Sequence, residues 1–233
     1  MRTAALRTGA LALLAAQLGG CGGLLHSNAQ PEQTYYLRAP AAGTAAPAAA
    51  PVANPDALAV SLRVGHPSAD PGLDSPHIML VRADHRMDFY VGSRWAAPVS
   101  DVVEALTVQT LRGSQQWTSV EDSRSPFPSS YLLQIAIRRF DADYTAGGAA
   151  PTVHVVLDCI MGRREGREVV ASFVASGSAA AGANRLSEVV GAFEQAAGAA
   201  LAALGQQAAE AARSDRAAQN GAAPSPSSTR QSQ

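Results

Sequence analysis

Two kinds of periodicity divide residues 58–213 into predicted strands and helices. Alternation of apolar and polar residues is typical of a strand with one buried face, whereas apolar residues at steps of three or four are typical of an amphipathic helix. The alternating or short apolar segments predict seven strands, at 58–64, 77–82, 87–91, 117–120, 131–138, 153–161 and 168–174. The segment 66–76 between the first two strands holds three prolines and is predicted to be a loop.

The last three predicted strands carry the clearest pattern. Odd-numbered positions from Tyr131 to Ile137, and from Val153 to Met161, are apolar throughout. Short turns join the three strands, and a short turn cannot make a parallel crossover. An antiparallel meander is therefore predicted.

Two helices complete the predicted domain. Pro98 begins the first, since proline suits the first turn of a helix, and Gly113 ends it. Asn184 is the predicted N-cap of the second, which runs to Arg213 with apolar residues at three- and four-residue steps. The fold class is thus α/β with α+β character: a single domain with a mixed, largely antiparallel sheet and two main helices.

The segments on either side of residues 58–213 lack such periodicity. Residues 34–37 are β-prone, but residues 38–57 are rich in Ala and Pro and cannot bury a core. If the β-prone patch is a strand, residues 38–57 are a loop inserted in the domain; if it is not, they extend a tether. The tail 214–233, rich in Ala, Ser, Gln and Pro, is predicted to be disordered.

The N-terminus has the layout of a secretory signal. Arg2 and Arg7 precede an apolar run at 11–18, which is too short to span a bilayer. The run ends in Leu18-Gly19-Gly20-Cys21, which resembles a bacterial lipobox. This predicts a signal peptide at 1–20, lipid attachment at Cys21 and a lipidated tether at 21–33; the alternative is a plain cleaved signal with a chance cysteine.

Composition narrows the classes of function. All 18 basic residues are Arg, and 16 of them remain after cleavage beside 19 acidic residues, which gives a formal charge of −3. No basic stripe is present, so a nucleic-acid partner is not expected. If Cys21 carries lipid, Cys159 has no partner for a disulfide and is predicted to be a buried, inert thiol.

The sequence predicts no catalytic, cofactor-binding or metal-ligating residues, and so no enzyme and no cofactor. The five histidines are scattered, and neither a phosphate-binding glycine motif nor a Gly-x-Ser-x-Gly elbow is present. Asp84–His85 and Asp141–Asp143 could act as acid/base pairs, but residues of these types at turns and strand ends are usually turn formers.

Three other features have structural interpretations beside functional ones. Trp95, just before the first helix, is interpreted as a core anchor rather than a ligand platform. The arginines at the turn 163–167 are interpreted as a solvated turn, with lipid headgroups or an acidic partner as the alternative. The last helix contains three glycines spaced by seven residues, which leave a narrow face without side chains: Gly191, Gly198 and Gly205. This face is interpreted either as packing against the sheet or as a contact between subunits of a homo-oligomer.

The order of the elements resembles a known family. The lipobox, the patch at 35–37, the loop 70–76, the segment 94–99 and the strand 135–141 follow one another as in the ABC-type transport auxiliary lipoproteins, the PqiC-like partners of MCE-domain transporters. The resemblance implies a domain similar to the N-terminal domain of TolB, tethered by lipid to the periplasmic face of the outer membrane. It also implies an MCE-domain partner, intermembrane lipid transport and no catalytic residues.

Three hypotheses follow. The first is a non-enzymatic auxiliary lipoprotein of an MCE-associated ABC transporter, placed at the outer membrane because Gly22 is not the aspartate that marks inner-membrane retention. The second is a structural or assembly lipoprotein of the outer membrane without an ABC partner. The third is a periplasmic hydrolase, which requires a deep polar pocket around Asp84 and His85.

Overall fold

The structure, a computed structural model, describes residues 32–39 and 57–221. The predicted signal peptide, Cys21, most of the Ala/Pro-rich segment and the end of the tail lie outside these residues. The described residues from Gln33 onward belong to one compact unit. Its strands are β1 (Gln33–Tyr35), β2 (Leu58–Val64), β3 (Ser68–Ala69), β4 (His77–Val81), β5 (Met87–Trp95), β6 (Trp117–Glu121), β7 (Tyr131–Asp143), β8 (Thr152–Arg163) and β9 (Glu168–Ala180). Its helices are α1 (Val99–Gly113) and α2 (Leu186–Gly221).

All nine strands form one mixed sheet organised around β7. One edge of β7 pairs antiparallel with β8 along almost its whole length, and β8 pairs antiparallel with β9. The other edge pairs in succession with three short parallel strands, β2, β3 and β4. Beyond these strands, β6 joins β2, β5 joins β4 and β1 joins β5. The predicted meander and the predicted fold class are confirmed.

Two elements were not settled by the sequence. The patch near residue 35 is a strand, because Gln33–Tyr35 pairs parallel with Ser93–Trp95 of β5. Residues 40–56 are therefore an insertion between two strands of one sheet. The prediction of a continuous loop at 66–76 was wrong at Ser68–Ala69, which forms β3 against Ala136 and Ile137.

β5 is longer than predicted and bends along its length. Its start opposes Val81 and its end opposes His77, with an irregular register between the two. Gly92 lies in the bend at φ +69°, a left-handed conformation that side chains with a Cβ rarely adopt. The bend carries β5 past the predicted end at Val91 to Trp95, next to α1.

The main core lies between the sheet and its two helices. Trp95, Phe140 and Phe193 meet there from β5, β7 and α2, and each is essentially inaccessible to solvent. The Trp95 ring is edge-on to Phe193 with centroids 5.1 Å apart, an arrangement that aromatic pairs favour. Trp95 is thus a core anchor, as predicted. Neither helix of the described ranges combines the length and the hydrophobicity that a membrane span requires.

Both predicted ends of α2 need correction. Asn184 is not the N-cap, since the helix begins at Leu186 and the Asn184 amide oxygen instead accepts a hydrogen bond of 2.7 Å from the Tyr144 hydroxyl. The helix also continues past Arg213 to Gly221, so residues 214–221 of the predicted disordered tail are helical. Asp215 holds this extension to the sheet by accepting a hydrogen bond of 2.7 Å from the Tyr131 hydroxyl.

Close packing of α2 on β9 depends on Gly177. A Cβ at this position would lie 2.1 Å from the Ala196 carbonyl oxygen and 2.8 Å from the Ala200 nitrogen. Backbone atoms of a helix cannot move away locally, so only glycine fits. Of the glycines noted in the sequence, Gly191 has open space where its Cβ would be and Gly205 has only an ordinary contact. The glycine that brings helix and sheet together is thus in the strand.

We expect Gly177→Ala to destabilise the domain by at least about 2 kcal/mol, because the added methyl group overpacks a rigid contact. The matched control is Gly191→Ala, which adds the same group in open space and should stabilise the helix by about 0.5–1 kcal/mol. Urea denaturation of both variants measures the two changes. Equal stabilities for the two variants would contradict the close contact.

Candidate interaction surface

The face of β7, β8 and β9 that points away from α2 is accessible to solvent. Residues that alternate with the buried core positions point to this face, and several are exposed: Gln134, Ile160, Ser172 and Val174. The exposed fractions of Ile160 and Val174 are 43% and 58%, high values for apolar side chains on a sheet. The sheet itself, rather than a loop, therefore meets solvent on this face.

Two adjoining grooves cross this face. The larger, of about 660 Å³, lies over the middle of β7–β9 and is bordered by His66 and Ser68. The smaller, of about 330 Å³, leads to the β8–β9 turn. Because both are lined by Leu132, Gln134 and Ile160, they form one continuous trough. A broad, open trough lined by apolar and polar side chains alike suits a polypeptide or an amphiphile better than a small polar substrate.

Charged residues stand at both ends of the trough. At one end, the Arg138 Nε lies 2.6 Å from an Asp158 carboxylate oxygen, and this pair is partly exposed. At the other end, Arg163 forms ion pairs with Glu168 and Asp215. These pairs neutralise the arginines that take part in them.

The other two arginines of the β8–β9 turn are different. Arg164 and Arg167 are exposed, and neither guanidinium has a partner among the residues that the structure describes. Arg167 adopts a left-handed backbone conformation with φ +53°, which shapes the turn together with Gly166 at φ +77°. The turn is solvated, as the sequence suggested, and it leaves two positive charges free.

The Asp84–His85 pair does not lie in a cleft. Both residues are exposed in the turn between β4 and β5, where His85 has φ +63°. The Arg86 guanidinium donates a hydrogen bond of 2.6 Å to Asp84 and holds the pKa of its carboxyl below the usual value. An ionised, paired carboxylate on an exposed turn lacks the deep pocket that the hydrolase hypothesis requires.

Asp141 and Asp143 are held by the same arginine, Arg139. Arg139 forms a bidentate pair with Asp141, at 3.0 and 2.8 Å, and a further hydrogen bond of 2.7 Å with Asp143. Burial alone would raise the pKa of Asp143, but hydrogen bonds from Thr145 and from Arg139 outweigh it and lower the pKa to about 2. Asp143 is thus held as an anion, and its shared contact with Arg139 and Asp141 suits a structural network rather than proton transfer.

Cys159 is buried on the inner face of β8, with 1% of its surface exposed. Burial, reinforced by the nearby Asp158 carboxylate, raises the pKa of the thiol to about 12. A thiol that remains protonated and inaccessible is a weak nucleophile. The structure therefore agrees with the prediction of an inert thiol.

One titratable cluster was not found from the sequence. His66 Nδ1 lies 2.8 Å from Glu104 Oε2, and the Ser123 N–H donates to Glu104 Oε1 at 2.8 Å. With Asp101, these side chains offer three potential metal ligands within 4.8 Å of one another. Both Glu104 oxygens already have partners, so the cluster is explained by its role in tying α1 to two loops. Its members come from separate elements, and no local motif signals them.

The described residues therefore form an α+β domain whose accessible features are a trough, a charged turn and a sheet edge. This is the architecture of a binding or accessory domain. The chain belongs to the family of ABC-type transport auxiliary lipoprotein components, which its sequence matches over residues 35–213. The resemblance noted in the sequence is confirmed.

Solved structures agree with this assignment. Protein XCC0632 of Xanthomonas campestris, from the family DUF330, has a TM-score of 0.67 at 25% identity, over 79% of this chain and 99% of that one. A structure described as that of an uncharacterized protein has a TM-score of 0.54 at 13% identity, over 80% and 99% of the two chains, and so shares the fold alone. No curated protein matches the sequence.

Family membership supports a general role. An auxiliary lipoprotein component is anchored to a membrane and serves a transporter.

We expect Asp143→Asn to lower the free energy of unfolding by on the order of 1 kcal/mol at pH 7, after allowance for solvent screening. The carboxyl pKa is about 2 in the fold and near its ordinary value of 3.8 in the unfolded chain. The stabilisation is therefore complete above about pH 4 and is lost as the pH falls from 3.8 towards 2. Urea denaturation between pH 7 and pH 2.5 measures the free energy of unfolding of variant and parent. The difference between the two free energies should shrink in this pH window.

Asp84→Asn is the matched control, because its carboxylate is paired with Arg86 on an exposed turn. We expect little change in stability at either pH for this variant. If the free energies of unfolding of Asp143→Asn and the parent differ by the same amount at pH 7 and at pH 2.5, the lowered pKa of Asp143 is contradicted.

Proposed function

We propose that this protein is a non-enzymatic, lipid-anchored auxiliary component of an MCE-associated ABC transport system, acting in intermembrane lipid transport at the outer membrane. The observation that carries the proposal is the family match, which covers the domain from β1 to α2. The lipobox at 18–21 supplies the anchor, Cys21, and Gly22 favours the outer membrane. The MCE partner follows from the resemblance of the sequence to PqiC-like proteins.

The way the chain enters the sheet supports a role that faces a partner. The tether joins the domain at Gln33, which pairs with Ser93 of β5, level with the C-terminal part of β7. The β8–β9 turn with Arg164 and Arg167 lies beyond the N-terminal end of β7. Ser93 is level with about Phe140, nine residues along β7 from Tyr131, so the tether joins the sheet about 30 Å from the turn.

The length of the tether is consistent with this arrangement. The chain from Cys21 to Glu32 can span at most about 40 Å when fully extended. A tether of this length gives the domain, and with it the trough, access to the periplasm.

Removal of the anchor tests the localisation. We expect Cys21→Ala to fold normally, because the described domain begins eleven or twelve residues later, but to lose labelled palmitate, membrane association and transport activity. Fractionation, lipid labelling and an outer-membrane permeability assay measure these losses. Cys159→Ala is the matched control and should keep all three properties, since its thiol is buried in the core. Full membrane association of Cys21→Ala would rule the anchor out.

Crosslinking in native membranes tests the partner. We expect mass spectrometry of the crosslinked protein to recover an MCE-domain protein together with the permease or ATPase of its transporter. Recovery of outer-membrane assembly proteins alone would instead support the second hypothesis, a structural lipoprotein. The Cys21→Ala variant serves as the control for crosslinks that depend on membrane placement.

A further inference from the structure

We propose that the free edge of β9 binds an extended, acidic segment of a partner protein, which adds to the sheet as a tenth strand. The proposal builds on the proposed function, because it names the chemistry by which the auxiliary domain would hold its partner. It rests on three observations: the unpaired backbone of β9, the lack of features that protect such an edge, and the two unpaired arginines where β9 begins.

The backbone of β9 is available for pairing. β9 has 13 residues, and among the described strands it hydrogen-bonds to β8 alone, on one side. In an antiparallel pair, every second residue directs its N–H and C=O away from the neighbouring strand. The Val174 carbonyl points outward, since it accepts a hydrogen bond of 3.4 Å from the Gln207 side chain of α2. Ser172 and Ser176 are two residues away on either side and direct their backbone groups the same way.

Most of this edge is unprotected. Native proteins usually block a long edge strand with charged residues, proline or a bulge. From Val169 to Ala180, β9 contains neither a charge nor a proline, and its pairing with β8 is regular from Met161 to Thr152. Gln207 covers one carbonyl, and no other side chain of the described residues bonds to the outward groups. Val169 and Val174, 65% and 58% exposed, flank the edge with apolar surface.

The positive charge in the β8–β9 turn, where the free edge of β9 begins, favours an acidic binding partner. Arg164 and Arg167 are exposed and unpaired, and they line the groove beside Val169, whereas the exposed Glu165 of the same turn is not among the residues that line it. Arg163 is already matched by Glu168 and Asp215. A carboxylate on an incoming strand could therefore pair with Arg164 or Arg167 without displacing an existing ion pair. A partner segment with acidic residues at the end next to this turn fits the charge, whereas a basic segment does not.

Segments of the chain itself fit less well. Residues 40–56 contain four prolines, which cannot donate to a ladder, and the tail 222–233 contains two prolines, no acidic residue and Arg230. A second copy is also disfavoured. Two β9 strands paired antiparallel would place the arginines of each turn near residues 180–185 of the other copy, where Arg185 adds a like charge. An acidic strand of another protein remains the best match.

The test uses the full-length lipoprotein in detergent and fluorescent ten-residue peptides of alternating Val and Thr. One peptide carries three glutamates at its N-terminal end, and a second carries them at its C-terminal end. A third peptide carries lysines in place of the glutamates. Fluorescence anisotropy should show binding of one of the acidic peptides, and the end that binds fixes the direction of the added strand. The lysine peptide should bind at least about tenfold more weakly than the acidic peptide. Added salt should lower the affinity of the acidic peptide, because it screens the attraction between opposite charges.

Variants of the edge separate strand addition from general attraction. Ser172→Pro removes an outward N–H and no bond to β8, and should weaken binding about five- to tenfold, as expected for loss of a hydrogen bond. Ser172→Ala is the matched control, because it removes the hydroxyl but keeps the N–H, and it should bind like the parent. Arg164→Glu with Arg167→Glu should abolish the preference for acidic over basic peptide. Circular dichroism establishes that each variant keeps its fold.

Several outcomes would overturn the proposal. One is the absence of peptide binding, and another is binding that Ser172→Pro leaves unchanged. A third is a dimer of the parent protein that Ser172→Pro converts to monomer, because the edge would then be occupied by a second copy. These results concern the edge alone, whereas the proposed transport role fails only if crosslinking recovers no transporter component.

Discussion

The structure depends on one long strand, β7, whose two edges are used differently. One edge pairs with β8 along nearly its whole length, while the other is divided among β2, β3 and β4. Each of these three strands pairs with β7 through only two or three residues, and β7 is the strand that joins them into one sheet. The arrangement leaves β8 and β9 as a two-stranded extension on one side of β7. The trough and the free edge exist because no further strand is added there.

Coverage of this extension by α2 explains much of the composition. The helix packs on β8 and β9 through a stripe of buried small residues, which lets its backbone approach the sheet. This stripe consists of Ala192, Ala196, Ala197, Ala200, Ala208, Ala209 and Ala212. Gly177 is the matching small residue on the strand, and its contact with Ala196 leaves no space for a side chain. The abundance of alanine therefore has a structural function in α2, beyond any bias of the coding sequence.

The sequence predicted those elements whose own burial sets their pattern. The alternation at 131–137 and 153–161 reflects one buried face, and every odd position there is buried. The missed features are set by distant contacts. β3 is two residues long and exists only through Ala136 and Ile137, and the last turns of α2 are held by Asp215 on Tyr131. Asn184 suits a cap by residue type, but its side chain is taken by Tyr144, which no local rule reveals.

The candidate surface was only partly readable from the sequence for the same reason. The arginines at 163–167 were visible as a cluster, but their separation into one neutralised and two free charges depends on Asp215, which lies some fifty residues further along the chain. Likewise, an edge strand and a central strand can have the same alternation, so β9 could be recognised as a strand but not as an edge. What distinguishes β9 is the absence of a tenth strand beside it in the described sheet. A domain that combines this edge with unpaired charge is suited to hold another polypeptide.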